Sequence, residues 1–214
     1  MKAIFYKDFK NAYIPEILEE IYLNKVYVPF LNKDMDTIVD IGANIGLTAQ
    51  YFSGFAKRVF AVEPSVTHIE VMNKMFKFNK LDNIKIVDKA IYIENKELTF
   101  YHNENTTMYS LHTAIATKPQ DNEVVQAITM EKLFNDNKIE VCDFLKLDVE
   151  GSEGEIISHS SFAKVASRIK NMITEYHVWS GYNPLQLVTA LKDYGFKDVD
   201  FIKNVKATLI YATR

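Results

Sequence analysis

An aspartate and two glycines stand where an apolar run gives way to a helix-like segment, in the order Asp40-x-Gly42-x-Asn44-x-Gly46. Gly42 permits a sharp turn, and Gly46 lets a helix begin without a side chain in the way of a ligand. The dinucleotide fingerprint G-x-G-x-x-G is not satisfied, because Asn44 stands at its second glycine. An asparagine there leaves less room for a pyrophosphate, so the pattern predicts a cofactor without phosphates and argues against NAD or FAD.

A second apolar run ends at Glu63, directly before Pro64. A carboxylate can accept two hydrogen bonds side by side, and an acid at this place commonly binds both hydroxyls of a ribose. Glu63 is therefore predicted to bind the sugar of a nucleoside. The alternative is an exposed acid at a strand end with no ligand.

Strand-like and helix-like patterns alternate around these residues, which predicts an α/β fold with a parallel sheet covered on both faces. The helices are predicted near 14–23, 46–52, 66–79 and 184–194, and a Ser152–Glu155 capping box is expected to begin another. The predicted strands are 37–41, 58–62, 84–87, 143–149 and 171–176, followed by an antiparallel hairpin of 196–202 and 207–213.

The alternation suggests residues 1–36 as an N-terminal helical segment and 37–214 as one domain. A long polar stretch, residues 101–126, interrupts the alternation of strands and helices and contains His102, Tyr109 and His112. Long loops in compact domains are usually functional or disordered, and a substrate loop or lid is the favoured interpretation here.

The bulk composition limits the possible partners. The net charge is −3 and only one cysteine is present, Cys142, so neither a global basic field nor a disulfide framework is available. No apolar run approaches the ~20 residues of a membrane span. We therefore expect a cytoplasmic protein with no membrane and no nucleic-acid partner; the oligomeric state is left open.

The segments "VDIGANIGLTAQYF", "VFAVEPS" and "FLKLDVEGSE", in this order and spacing, resemble FkbM-type S-adenosylmethionine-dependent methyltransferases over about residues 37–177. The resemblance implies a Rossmann-like class I sheet of seven strands in the order 3-2-1-4-5-7-6, with strand 7 antiparallel. It also implies S-adenosyl-L-methionine as the cofactor and, usually, O-methylation. The cofactor-binding positions that it implies are Asp40, Gly42, Asn44 and Gly46 at the methionine part, Glu63 at the ribose and Asp88 near the adenine. For Asp88, an ordinary turn aspartate is equally compatible with the sequence.

A second group of polar residues lies on the strands implied to be fourth and fifth. Residues two apart in a strand share a face, so Lys146, Asp148 and Glu150 are expected to point one way, and Glu175 and His177 likewise. These two strands are neighbours in the implied order, which gathers the acids and the histidine beside the methyl donor.

Methyl transfer is an in-line displacement that needs positioning and, for an alcohol acceptor, a base. His177 is the first candidate for the base, and Asp148 the second, as base or as partner of the cofactor's ammonium group; Glu175 is the expected partner of His177. Asp148, Glu175 and His177 could instead bind Mg²⁺ or Mn²⁺. Nothing in the spacing demands a metal, so none is included in the prediction.

The sequence thus predicts O-methylation of a hydroxyl on a small molecule or glycan. Three alternatives remain: an RNA methyltransferase on the same fold, a nucleotide-binding oxidoreductase, and a non-catalytic nucleotide-binding module. The net charge of −3 disfavours the first, and Asn44 disfavours the second.

Overall fold

The computed structural model describes residues 14–102, 109–110, 122–202 and 208–214. Its strands are β1 Met35–Ile41, β2 Ala56–Val62, β3 Ile84–Val87, β4 Ala90–Ile91, β5 Lys96–His102, β6 Tyr109–Ser110, β7 Asn122–Ile128, β8 Cys142–Leu147, β9 Ile169–Tyr176, β10 Asp198–Ile202 and β11 Thr208–Thr213. Its α-helices are α1 Ile14–Leu18, α2 Leu47–Phe52, α3 Val66–Phe78, α4 Met130–Asp136, α5 Glu153–Ser158, α6 Ser160–Ala166 and α7 Pro184–Asp193. A π-helical turn, Glu19–Leu23, continues α1, and short 3-10 turns cover Val28–Phe30 and Val178–Ser180.

The main sheet has seven strands in the order β10-β11-β9-β8-β1-β2-β3. Its strands are parallel except β11, which is antiparallel to both β9 and β10. This confirms the predicted α/β fold with a mostly parallel sheet. The order written from the sequence differs in detail, because four strands, β4 to β7, intervene in the chain between β3 and β8 and form a sheet of their own in the order β4-β7-β5-β6.

Helices cover both faces of the main sheet, as a parallel sheet requires. On one face, residues of α4, α5, α6 and α7 pack into a buried cluster with alternate residues of β1, β2 and β8. On the other face, α2 and α3 share a cluster with residues of the N-terminal segment. Tyr27 of that segment is 2% exposed and meets Phe52 edge to face, with ring centroids 5.1 Å apart. The segment thus packs on the strands that carry the site.

Two local expectations were wrong. Ser152 makes no side-chain cap hydrogen bond at the start of α5. Instead, Glu153 folds back and accepts the N–H groups of Val149 and Gly151. The fourth strand of the main sheet, β8, ends at Leu147 rather than at 149, and Glu150 has a left-handed φ of 56°, so the alternation expected through Glu150 is broken by a turn.

The stretch expected to be a loop, 101–126, begins and ends in strands: β5 continues to His102 and β7 starts at Asn122. Residues 103–108 and 111–121, which include His112, lie outside the described residues, so the lid stays a prediction. The division of the chain after residue 36 also stays a prediction. The strand β1 begins at Met35, two residues before the predicted start at residue 37. Within the described ranges, no helix has the length and apolar character needed to span a bilayer.

Two glycines with the same backbone conformation give a direct test of the turn after β1. Gly42 and Gly181 both have φ of +75°, but a Cβ on Gly42 would lie 1.6 Å from the Asp148 carbonyl oxygen, whereas a Cβ on Gly181 would meet nothing within 4 Å. We expect Gly181→Ala to cost only the left-handed penalty of about 1–2 kcal/mol. Gly42→Ala should cost at least about 2 kcal/mol more. Urea denaturation of both variants measures the difference, and equal losses would show that the close approach is unimportant.

Candidate active site

A cavity opens at the carboxyl ends of β1, β2 and β8, where open α/β sheets bind ligands. Its volume is about 870 Å³ including the open mouth, which is in the range of ligand pockets. Polar and charged lining residues are Glu20, Asn44, Thr48, Glu63, His68, Lys89, Lys146, Asp148 and Glu150. The apolar lining includes Ile41, Val62, Ala90, Ile91 and Phe100.

The glycine turn after β1 forms one wall of this cavity. The N–H groups of Gly42 and Ala43 both donate to the Val62 carbonyl, at 3.0 Å each, which ties the turn to the end of β2. Asn44 follows with a left-handed φ of 50°, and its side-chain oxygen accepts the N–H of Ile45 at 2.7 Å. An asparagine tolerates this conformation because its short polar side chain can bond locally. The turn therefore presents backbone rather than bulky side chains to a ligand.

Glu63 is held in place by donors of the protein. Its carboxylate accepts the N–H of Asn44 at 3.0 Å, the N–H of Ser65 at 3.1 Å and a contact from His68 Nδ1 at 3.1 Å. The residue is 5% exposed and lines the cavity. A carboxylate has about four acceptor positions, so it can still receive a ligand hydroxyl. The sequence analysis missed His68; its only signal is its place in the first turn of α3, five residues after the acid.

Lys146 forms ion pairs with two acids of the site. Its ammonium group lies 3.1 Å from Asp148 Oδ2 and 3.6 Å from Asp40 Oδ1. Burial disfavours the charged ammonium, but Asp148 and Asp40 outweigh it and hold the pKa of Lys146 above its usual range. Asp40 is fully buried, accepts the Thr48 hydroxyl at 2.5 Å and does not line the cavity. Burial raises the pKa of Asp40.

The N-terminal segment adds a feature that the sequence analysis missed. Glu20 and Tyr27 line the cavity, and the Tyr27 hydroxyl donates to the Glu20 carboxylate. Burial raises the pKa of Glu20, and burial together with Glu20 raises that of Tyr27. No sequence signal marks them, since Glu19-Glu20 on a short amphipathic segment has the pattern of a solvated face.

Asp148 also belongs to a second group, at the carboxyl ends of β8 and β9. One donor atom from each of Asp148, Glu175 and His177 lies within 4.8 Å of the others. His177 Nε2 lies 3.3 Å from Glu150 and 3.7 Å from Glu175, while Nδ1 lies 3.1 Å from Glu153. We refer to Asp148, Glu150, Glu175 and His177 as the acid–histidine cluster.

Crowding of buried like charges perturbs this cluster. Burial and then the charge of Asp148 raise the pKa of Glu150 to about 8 and that of Glu175 to about 9. Burial alone would lower the pKa of His177. The acids Glu153, Asp148 and Glu150 outweigh the effect of burial and raise this pKa to about 10. At neutral pH, Glu150, Glu175 and His177 therefore keep protons that the same side chains would largely release in water.

The predicted site residues fall into three groups. Gly42, Asn44, Glu63 and Asp148 line the cavity, and Glu175 and His177 adjoin it through Asp148. Asp40 lies beneath it, on Lys146. Gly46 and Asp88 do not line it: a Cβ on Gly46 would lie 2.7 Å from Met72 and Phe76, and the Asp88 side chain is exposed, although the next residue, Lys89, lines the wall.

The aromatic residues after β9 differ in their surroundings. Trp179 is 37% exposed and lies 4.8 Å from the His177 ring, centroid to centroid, and its indole N–H donates to the Glu150 carbonyl. Tyr182 packs against Gly154, where a Cβ would come within 2.3 Å of its ring. Trp179 is thus at the mouth of the cluster, and Tyr182 has a packing contact.

Solved methyltransferases have the same fold. An rRNA methylase from Streptococcus thermophilus has a TM-score of 0.57 at 11% identity, with 91% of this chain and 95% of that chain covered. A SAM-dependent methyltransferase from Aquifex aeolicus has a TM-score of 0.55 at 16% identity, with 92% of each chain covered. A methyltransferase FkbM from Methylobacillus flagellatus has a TM-score of 0.58 at 14% identity; 85% of this chain is covered but only 44% of that one.

The family itself is shown by sequence. The sequence profile described as the Methyltransferase FkbM domain matches residues 40–197. The chain therefore belongs to the FkbM methyltransferase family, and it is a methyltransferase that uses S-adenosylmethionine. No curated protein matches the chain.

The raised pKa values of the cluster make stability depend on pH. A group with a raised pKa binds more protons folded than unfolded, so its contribution is present at low pH and is lost as pH rises through the folded value. For Glu150, Glu175 and His177 the folded values are about 8, 9 and 10. We expect the Tm of the unliganded protein to fall between pH 6.5 and 9.

Glu175→Gln should flatten this decrease, because it removes one of the titrating groups. Glu140→Gln is the control, since the Glu140 side chain is 88% exposed and its contact with Arg168 is long, at 3.9 Å; it should keep the wild-type slope. Differential scanning fluorimetry across the pH range measures both. A Tm that rises toward pH 9 would contradict the assigned pKa directions.

Proposed function

We propose that this protein transfers the methyl group of S-adenosylmethionine to a hydroxyl of a small molecule or glycan. The observation that carries the proposal is the cavity at the ends of β1, β2 and β8, where the glycine turn holds Glu63 and where Asp148 joins the acid–histidine cluster. In this proposal the wall that contains Glu63 binds the nucleoside, and the cluster, which reaches the cavity through Asp148 and Glu150, accepts the proton.

The charge of the cavity supports this cofactor. Four carboxylates line it, from Glu20, Glu63, Asp148 and Glu150. Of the two lysines, Lys146 is already paired with Asp148 and Asp40, while Lys89 donates to a backbone carbonyl at 2.5 Å. A bound cation lowers the raised pKa values of Glu20 and Glu150 and restores their charge, so the lining favours the sulfonium and ammonium groups of S-adenosylmethionine over a pyrophosphate.

The proposed orientation follows the lining. The methionine part lies against the turn of Gly42 and Asn44, supported from below by Asp40 and by the close helix packing at Gly46. One ribose hydroxyl bonds to the acceptor position that remains on Glu63. The adenine lies between apolar lining residues near Ile91 and Phe100. Asp88 is close to this part of the lining in sequence, three residues before Ile91.

In the reaction, a lone pair of the acceptor oxygen forms the new C–O bond while the C–S bond breaks and its electron pair stays on sulfur. The hydroxyl proton passes to the cluster, in which Asp148, Glu175 and His177 act as one acceptor. His177 holds a proton in the unliganded protein, since its pKa is raised to about 10. The positive sulfonium lowers the pKa of nearby groups, so cofactor binding prepares the cluster to accept the proton.

The acceptor class is proposed from the surroundings of the cluster. The Trp179 ring stands at its mouth, where an aromatic face can stack on a sugar or another ring. RNA is disfavoured because the net charge is −3 and the cavity lining is acidic. Salt-sensitive micromolar retention of bulk tRNA in filter binding would favour RNA instead.

Calorimetry with S-adenosylhomocysteine tests the cofactor wall. Glu63→Gln keeps the shape of the side chain but removes its charge, so binding should weaken by about 1.5–3 kcal/mol, which is roughly tenfold or more. Glu70→Gln, on an exposed position of α3, is the matched control and should bind as wild type does. Tight binding of NADH and none of S-adenosylhomocysteine would overturn the proposal.

The proton-accepting role requires a separate measurement. His177→Gln should lower the transfer of labelled methyl groups to a panel of glycosides and phenols by about 10²-fold or more, while affinity for S-adenosylhomocysteine stays near wild type. Such a split would exclude a non-catalytic binding module. Equal losses of turnover and cofactor affinity would place His177 in the cofactor wall instead.

A further inference from the structure

We propose that Asp148, Glu175 and His177 form a binding site for a divalent cation of the Mg²⁺ or Mn²⁺ class, directly beside the methyl-donor cavity. The three side chains come from the ends of the adjacent strands β8 and β9, and one donor atom of each lies within 4.8 Å of the other two. They supply two carboxylates and one imidazole. The inference rests on the proposed function only for the use of the ion, not for its binding.

The orientation of His177 is the first reason for this assignment. Its Nδ1 lies 3.1 Å from Glu153 Oε1, and Glu153 is 1% exposed and fixed by the N–H groups of Val149 and Gly151. A carboxylate that receives Nδ1–H fixes the tautomer and leaves the Nε2 lone pair to a metal, which is the usual arrangement behind a metal-binding histidine. Nε2 here faces the carboxylates of Glu150 and Glu175.

Asp148 gives the second reason. One of its oxygens, Oδ2, accepts Lys146 at 3.1 Å, but Oδ1 is buried and has no hydrogen-bond partner among the residues that the structure describes. A buried carboxylate oxygen without a donor costs free energy, and a cation removes that cost. The Asp148 side chain is 23% exposed and that of Glu175 is 24% exposed, so both remain partly accessible to an ion.

The donor set selects the kind of ion. Carboxylate oxygens suit Mg²⁺ and Mn²⁺, and one imidazole is compatible with both. Ligand atoms on bonds of about 2.1 Å stand roughly 3–4 Å apart, so small side-chain rotations close the present arrangement around an ion. The described part of the chain supplies three ligands, which leaves positions for an acceptor hydroxyl. A cation lowers the pKa of a hydroxyl bound to it, so it would assist the loss of the acceptor proton.

The competing state of the cluster carries a proton in place of the ion. In that state an imidazolium donates from Nε2 to Glu150 or Glu175, at the distances of 3.3 and 3.7 Å now present. The two states exclude one another, because Nε2 has one lone pair. A direct test of what occupies Nε2 therefore decides between them.

The experiment is electron paramagnetic resonance of the full chain, freed of metal with EDTA and titrated with Mn²⁺. We expect saturable binding of one Mn²⁺ per chain and, in pulsed spectra, ¹⁴N coupling from a directly bound imidazole. Glu175→Gln and His177→Gln should each weaken Mn²⁺ binding by about tenfold or more, and His177→Gln should abolish the ¹⁴N coupling. Glu140→Gln, which alters an exposed carboxylate, should change neither.

Absence of saturable Mn²⁺ binding to the wild-type chain would overturn the inference, and so would bound Mn²⁺ without ¹⁴N coupling. Circular dichroism of each variant shows whether it is folded, and the wild-type spectra alone decide if a variant is not. Calorimetry with S-adenosylhomocysteine in EDTA separates this inference from the proposed function. Cofactor binding without Mn²⁺ binding removes only the metal site, and the reverse result removes only the proposed function of the cavity.

Discussion

The buried ammonium group of Lys146 is the interaction on which the rest of the site depends. Asp40 on β1 and Lys146 on β8 are register partners, and the ammonium lies between Asp40 and Asp148. A buried charge is tolerated only where opposite charges and hydrogen bonds compensate for its lost hydration. Because Lys146 compensates two acids at once, it permits carboxylates to crowd at the junction of β1 and β8.

This compensation is incomplete, and the crowding of acid side chains determines the chemical character of the site. Lys146 pairs with Asp40 and Asp148, while the further acids Glu20, Glu63, Glu150 and Glu175 lie in the site with the basic groups of His68, Lys89 and His177. Burial, and then the charge of Asp148, raise the pKa values of Glu150 and Glu175 in the unliganded chain. A cationic cofactor, and in our proposal a divalent cation, would relieve the same repulsion.

Much of the fold could be predicted because its signals are local. Apolar runs ending at Ile41 and Val62 marked the strands, and Asn183-Pro184 and Gly195 marked the ends of α7. The second sheet was missed because β4 and β6 have only two residues each. The capping box at Ser152 was wrong: Glu153 accepts nearby backbone N–H groups instead, and it also contacts His177, a residue distant in sequence.

Site residues could be predicted where a local sequence signal marks them, as the glycine turn does for Gly42 and Asn44 and the strand end does for Glu63. All three line the cavity. Glu20 and Tyr27 could not be predicted, because only tertiary packing brings the N-terminal segment over the ends of the strands. Gly46 shows the opposite error: its place at the start of α2 was predicted, but its surroundings are the side chains of Met72 and Phe76 rather than the cavity.

A crystal structure with bound S-adenosylhomocysteine would show where the nucleoside lies relative to Glu63 and the Gly42 turn. We expect a ribose hydroxyl within hydrogen-bond distance of Glu63, the amino-acid part at the Gly42 turn, and the sulfur directed toward Asp148. A nucleoside bound outside the cavity between β1, β2 and β8, or bound within it with the ribose away from Glu63, would contradict the proposed site.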